Sequence, residues 1–249
     1  MRRVVRQSGF SLVEMLLVVA VIALLVGMAA PALRSARLSA KKASCLANLH
    51  GLALAASTYL SENGDHYWAY SDRGTHYWGS GDRWPDEEAS PLLAYCGYNA
   101  RLLECPSMQW GSYVPAGGAS EPTSTYGYNA WCLDPATYGR HDAHGAAMQR
   151  MRLERLSRPS ELFVFGDAAS FRVPGGVRVL QNSLLLDPIM LDSRPNYAPN
   201  THFRHVGLTN ALSADGHAEA YDTEGGALRV PMFGLGFVGM SNAPHYDNH

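Results

Sequence analysis

Lysine is scarce in this 249-residue chain. Only Lys41 and Lys42 accompany the arginines among its 20 basic residues, and 22 acidic residues bring the formal net charge to −2. That balance excludes a nucleic-acid module, which shows a clear basic excess. Charged residues make up 17% of the chain, below the average of about 25%, and no run of like charge marks an acidic or basic tail. A mean hydropathy of −0.14 excludes a protein of many membrane spans. Catalytic signatures are missing too: there is no G-x-S-x-G elbow, no P-loop, no H-E-x-x-H and no paired C-x-x-C. A carboxylate pair for glycoside cleavage cannot be read from spacing alone. The chain is expected to be no enzyme and to carry no cofactor.

What is present is concentrated near the start. Arg2, Arg3 and Arg6 precede sixteen residues, Met15 to Ala30, without a polar side chain. Phe10 to Pro31, 22 residues, makes about 33 Å of helix, which matches a hydrocarbon core of about 30 Å. A secretory signal competes, with Ala29-Ala30-Pro31-Ala32 as its cut region, but its apolar run is usually about 7–15 residues. Glu14 inside the run gives such a signal nothing and costs about 2.5–3.5 kcal/mol at a membrane centre. Basic residues flank the run on both sides, with Arg34, Arg37, Lys41 and Lys42 following it, so the charge count sets no orientation. From Ala32 to Glu62 there is no proline and one glycine, Gly51. Leu38, Cys45, Leu49, Leu52, Ala56, Tyr59 and Leu60 keep a helical period up to Asn63-Gly64. One helix is expected from about Phe10 to Glu62.

Gln7-Ser8-Gly9-Phe10-Ser11-Leu12-Val13-Glu14-Met15-Leu16 resembles the processing motif of type IV pilins and type II secretion pseudopilins. The resemblance implies cleavage between Gly9 and Phe10 by a prepilin peptidase, methylation of the new Phe10 amino terminus, and a helix-bending role for Pro31. It implies an organisation of leader 1–9, transmembrane and assembly half 10–33, amphipathic half 34–62 and extracytoplasmic head 63–249. The implied partners are the peptidase, other pilin or pseudopilin subunits and an inner-membrane assembly platform. The implied place is the bacterial inner membrane, single-pass, with the head in the periplasm. Glu14 is read as the assembly residue, since pairing it with a neighbour's new amino terminus removes two charges from lipid. The bland reading is a helix cap.

Residues 65 to 249 carry turns throughout. Tyr126 to Ala130, Leu162 to Phe165 and Val177 to Leu180 read as strands, and Pro91 to Tyr98 as a short helix and turn, with a loop around Gly117-Gly118. Thr209 to Ala214 and His217 to Tyr221 flank Asp215-Gly216, a hairpin with an expected type I′ turn. His205-x9-Asp215-Gly216 resembles the C-terminal signature of a pseudopilin-like group, as do Cys45-x-x-Asn48-Leu49, Cys105-Pro106, Tyr126-Gly127-Tyr128-Asn129 and Asp167 after an apolar strand. His205 and Asp167 are expected to tie the hairpin to its neighbours by hydrogen bonds.

Cys45, Cys96, Cys105 and Cys132 all follow the apolar run, and an even number allows three disulfide connectivities. A Cys45–Cys105 bridge would staple head to helix and leave Cys96–Cys132; buried free thiols are the alternative. His202, His205, Asp215 and His217 are candidate metal ligands by proximity in sequence, and Asp187, Asp192, Asp215 and Asp222 offer oxygens to calcium. No ligand spacing is met, and none is expected. His66-Tyr67-Trp68 recurs as His76-Tyr77-Trp78, and Asp72-Arg73 as Asp82-Arg83. This segment, 66–84, either packs in the core or binds glycan.

The expected fold is α+β: a long N-terminal helix on a small antiparallel sheet with long loops. The expected function is a structural subunit of a pseudopilus or a pilus-like filament. The alternatives are a minor pilin or adhesin binding glycan through 66–84, and a membrane-tethered hydrolase.

Overall fold

The apolar run and the proline-free stretch after it form one helix. The computed structural model describes residues 11–72, 75–77, 79–80, 90–108, 124–142, 144–173, 176, 179–189 and 199–248. In it, α1 spans Leu12–Glu62 with Pro31 inside. The chain divides into two units, the first ending at Ala40 and the second beginning at Lys41.

In the first unit every residue from Ser11 to Ala40 is exposed. In the second, α1 buries Cys45, Leu49, Leu52, Ala55, Ala56, Tyr59 and Leu60, spaced three and four apart so that they share one face. Leu38, the first member of the expected stripe, is 42% exposed. It lies in the first unit, so the stripe begins at Cys45. The helix stops where Asn63-Gly64 predicts. The Asn63 side chain donates to the Tyr59 carbonyl at 2.8 Å, and the Asp65 N–H donates to the Leu60 carbonyl at 2.9 Å.

The rest of the second unit is a set of small antiparallel sheets, giving an α+β fold. Short strands β1 (Ser71–Asp72), β2 (Thr75–His76) and β3 (Gly79–Ser80) pair in sequence order. β4 (Tyr126–Tyr128) leads through Asn129 into α2 (Ala130–Leu133), and the Asn129 carboxamide accepts from the Cys132 N–H at 3.3 Å. That Asx cap ends the strand two residues before the expected Ala130. The remaining strands are β5 (Phe163–Asp167), β6 (Ala169–Arg172), β7 (Val179–Asn182), β8 (Thr201–His202), β9 (Thr209–Ser213), β10 (Ala218–Tyr221), β11 (Leu228–Val230) and β12 (Leu235–Gly236). The main sheet runs β10-β9-β5-β4. Its two inner strands, β5 and β9, are buried at every residue, which is why Leu162 to Phe165 reads as an unbroken apolar run.

Between Phe163 and Phe165 the register with β9 shifts, and a shift of this kind re-aims side chains. Phe165 joins the cluster built on the α1 stripe, with Trp68, Tyr77 and Tyr128. Phe163 joins a second cluster with Tyr221, Phe237 and Tyr246.

The hairpin lies where expected, with Leu212 opposite Ala218 and Thr209 opposite Tyr221, but its turn is not type I′. Gly216 has φ +94, whereas Asp215 is not among the residues with positive φ. The Gly216 N–H donates to the Ser213 carbonyl at 3.0 Å and the Ser213 N–H to the His217 carbonyl at 2.9 Å. This is a type I turn closed by a left-handed glycine, the three-residue hairpin loop. The Asp215 carboxylate accepts from the His217 N–H at 3.1 Å, a contact that a type I turn accommodates.

Three described rings of the repeated aromatic segment pack inward. Tyr67, Trp68 and Tyr77 are each at most 1% exposed. Trp68 stacks on Tyr128 and Phe165 with ring centroids 5.1 and 5.7 Å apart, and the Tyr77 hydroxyl donates to the Tyr126 carbonyl at 2.8 Å. These rings offer no face to a sugar. Arg73, Trp78, Asp82, Arg83, Gly117-Gly118, Val177 and Asp192 lie outside the described residues.

Candidate functional site

Two places carry the chemistry that the sequence singled out. The first is the start of α1. The Ser11 N–H donates to the Glu14 carboxylate at 2.8 Å, and the Glu14 N–H donates to the Ser11 hydroxyl at 3.2 Å. This reciprocal pair is a capping box, which satisfies two of the orphan donors at a helix start. Within a single chain Glu14 therefore makes the bland contact, a cap. Gly9 and Phe10 lie outside the described residues. One helix among the described residues, α1, is long and apolar enough to cross a membrane.

The second place is a buried polar cluster at the end of β5. Asp167, the last residue of β5, is completely buried. One of its oxygens accepts from the Asn210 N–H of β9 at 2.8 Å and stands 3.2 Å from His205 Nε2. The other accepts from the Cys45 thiol of α1 at 3.4 Å and faces Arg204 Nε at 3.6 Å. His205 Nε2 also lies 3.4 Å from the Cys105 sulfur. Cys105 follows the 3-10 turn Ala100–Leu103, and its N–H donates to the Thr125 hydroxyl at 2.6 Å. The Tyr126 hydroxyl of β4 reaches the Cys45 sulfur at 3.2 Å. The Arg204 guanidinium also donates to the Ala168 carbonyl. His205 sits in a tight turn whose next residue, the exposed and β-branched Val206, takes φ +59. That conformation is uncommon for such a side chain.

The charges in this cluster decide one another. Burial alone raises the Asp167 carboxyl, but the Arg204 cation and the His205 hydrogen bond outweigh it and hold the pKa below its ordinary value. Burial pushes the His205 imidazole down, and its contacts with Asp167 and Cys105 reverse this, pushing it up to about 9. The Cys45 thiol is raised by burial, whereas the hydrogen bond from Cys45 lowers Cys105. Nearby His202 is pushed down to about 3 by burial and by the Arg204 cation.

Asp167 is joined to β9 through the Asn210 N–H and to the turn before β9 through His205. Asp215 does not join them: its carboxylate stands 2.6 Å from His217 Nδ1 at the exposed tip. Asp187 pairs with the Asn200 carboxamide at 2.8 Å, and Asp222 accepts from the Glu224 N–H at 2.7 Å, so these carboxylates are engaged separately. All four cysteines are buried free thiols. The Cys45 and Cys105 sulfurs meet in the cluster without a bond, and no bond joins Cys96 to Cys132 in α2. Cys45, Cys105, Asp167 and His205 each present a donor atom capable of holding a metal, all within 4.8 Å of one another. Sequence reasoning missed Arg204, Tyr126 and Asn210 as members. Adjacency to His205 was the only available signal for Arg204.

Residues 5–30 match the family model described as the prokaryotic N-terminal methylation motif. The match takes in Gly9, Phe10, Glu14 and nearly the whole apolar run, and it supports a type IV pilin-like chain that is processed at its N-terminus. Neither a curated protein nor a solved structure matches the chain at a significant level.

Proposed function

We propose that this chain is a structural subunit, a pseudopilin, of a type II secretion-like pseudopilus or a type IV pilus-like filament. Residues 1–9 act as the leader that a prepilin peptidase removes, and Phe10 becomes the methylated amino terminus. Residues 10–33 span the inner membrane before assembly and pack against other subunits afterwards. Residues 34–62 carry the head, 63–249, in the periplasm. An inner-membrane platform drives the transfer.

The observation that supports this reading is the exposure of α1 within and just beyond the matched motif. Leu16, Leu17, Val19, Leu24 and Leu25 are each at least 60% exposed, and burying such a side chain is worth about 1.5–3 kcal/mol. A run of this kind needs lipid or other helices around it. Glu14 gives the run a register: its charge is costly among acyl chains, and a neighbour's amino terminus neutralises it.

A Glu14→Val variant tests the role. It is expected to insert and be processed as the wild type. Its share of the sheared filament fraction is expected to fall at least about tenfold, equivalent to about 1.4 kcal/mol of assembly energy. Normal incorporation would leave Glu14 as a cap alone.

A further inference from the structure

Four side chains far apart in sequence converge on one buried point, and their chemistry is that of a zinc shell. We propose that Cys45, Cys105, Asp167 and His205 bind one Zn2+ ion that staples the head to the carboxyl-terminal half of α1.

The donor set is two thiolates, one imidazole nitrogen and one carboxylate oxygen, the ligands a borderline-soft dication takes in closed four-coordinate sites. The spacing fits as well. In a tetrahedron with bonds of about 2.0–2.3 Å, neighbouring donors stand about 3.3–3.8 Å apart. The observed separations are 3.4 Å from Cys105 to His205, 3.2 Å from His205 to one Asp167 oxygen and 3.4 Å from Cys45 to the other Asp167 oxygen, so a small turn of the carboxylate brings a single oxygen into the shell. All four donors fall within 4.8 Å of one another.

Three of the four ligands are also held from behind, as metal ligands usually are. The Tyr126 hydroxyl touches the Cys45 sulfur, the Cys105 N–H is fixed by Thr125, and the Asn210 N–H holds the Asp167 carboxylate. The charges close. Zn2+ with two thiolates and a carboxylate carries one net negative charge, and the Arg204 guanidinium beside Asp167, whose side chain is 2% exposed, cancels it. Binding releases to water whatever protons the Cys45 and Cys105 sulfurs and His205 Nε2 carry, with nothing oxidised or reduced. The ligands come from α1, the segment after the 3-10 turn, the end of β5 and the turn before β9. One ion therefore crosslinks four segments at the place where a disulfide would join only two.

The test uses the full chain extracted in detergent under reducing conditions, stripped with a chelator and reloaded with Zn2+ or Co2+. The expected result is one zinc per chain by elemental analysis and a raised melting temperature on reloading. With Co2+, the sulfur-to-metal charge-transfer and ligand-field bands of a tetrahedral thiolate site are expected. Cys105→Ser and His205→Gln should lose the metal, whereas His217→Gln, a change at the exposed hairpin tip, should keep it. Tyr126→Phe should weaken binding about tenfold. Where a ligand variant fails to fold, the wild-type cobalt spectrum decides. A reduced wild-type chain that takes up no stoichiometric zinc, an octahedral cobalt spectrum, or a Cys45–Cys105 disulfide in protein isolated without reductant would each overturn the site.

Discussion

The two ends of α1 obey the same local rules and opposite packing rules. From Leu12 to Ala40 the helix carries the long apolar run, and every residue of it is exposed. From Lys41 to Glu62 it is amphipathic, and its own head covers one face. Helices that are apolar on every side belong in a membrane or a protein core, whereas a stripe belongs against a sheet. The first half thus carries a demand that only lipid or another subunit can meet, and the second half meets its own. Ser11 and Glu14 complete the helix start within one chain through the capping box, and both stay exposed.

This contrast can be broken by substitution. The largest effect is expected in the second half. Leu52→Ala removes a side chain that is 0% exposed and should cost about 2–5 kcal/mol of head stability, measured by chemical denaturation. Leu24→Ala in the first half, where Leu24 is 65% exposed, should leave head stability within about 0.5 kcal/mol and act only on insertion or assembly.

Acid sharpens the contrast, with a smaller effect. His202 is buried, and its pKa is pushed down to about 3 from 6.5 by burial first, then by Arg204 and His205, with Asp167 pulling it up. A histidine lowered on folding stabilises the native state fully above its unfolded pKa. Stability should therefore decline as the pH falls from about 6.5 towards 3, as the unfolded chain takes up the proton that the folded one refuses. Thermal melts between pH 7 and 4 should show this decline in the wild type and a flatter one in His202→Gln. An equal slope in both would remove His202 from the account.

What the sequence revealed followed the range of the interaction. The helix, its stop at Asn63-Gly64 and the β9–β10 hairpin rest on neighbours a few residues apart and were legible from pattern. The turn type was not, because Asp-Gly serves both a two-residue turn and a type I turn ending in a left-handed glycine, and side-chain order cannot separate them. Tyr67, Trp68 and Tyr77 read first as packing aromatics and second as a sugar-binding surface, and their burial agrees with the first reading. The cluster was half legible. Resemblance brought out Cys45, Cys105, Asp167 and His205 individually, and pairings were expected between the two cysteines and around the hairpin. Their meeting at one point depends on contacts 100 and 122 residues apart in sequence, and no periodicity encodes that. An arginine is ordinarily a surface residue, and Arg204 is buried here because the buried Asp167 carboxylate and the Ala168 carbonyl receive its charge.

The measurement closest to the central claim, that the exposed half of α1 belongs to a processed filament subunit, is the intact mass and N-terminal sequence of the membrane-extracted protein. It should be made with and without the cell's prepilin peptidase. The account predicts a chain beginning at N-methyl-Phe10 when the peptidase is present and at Met1 when it is absent. A chain beginning at Met1 in both, or one cut near Ala32, would contradict it.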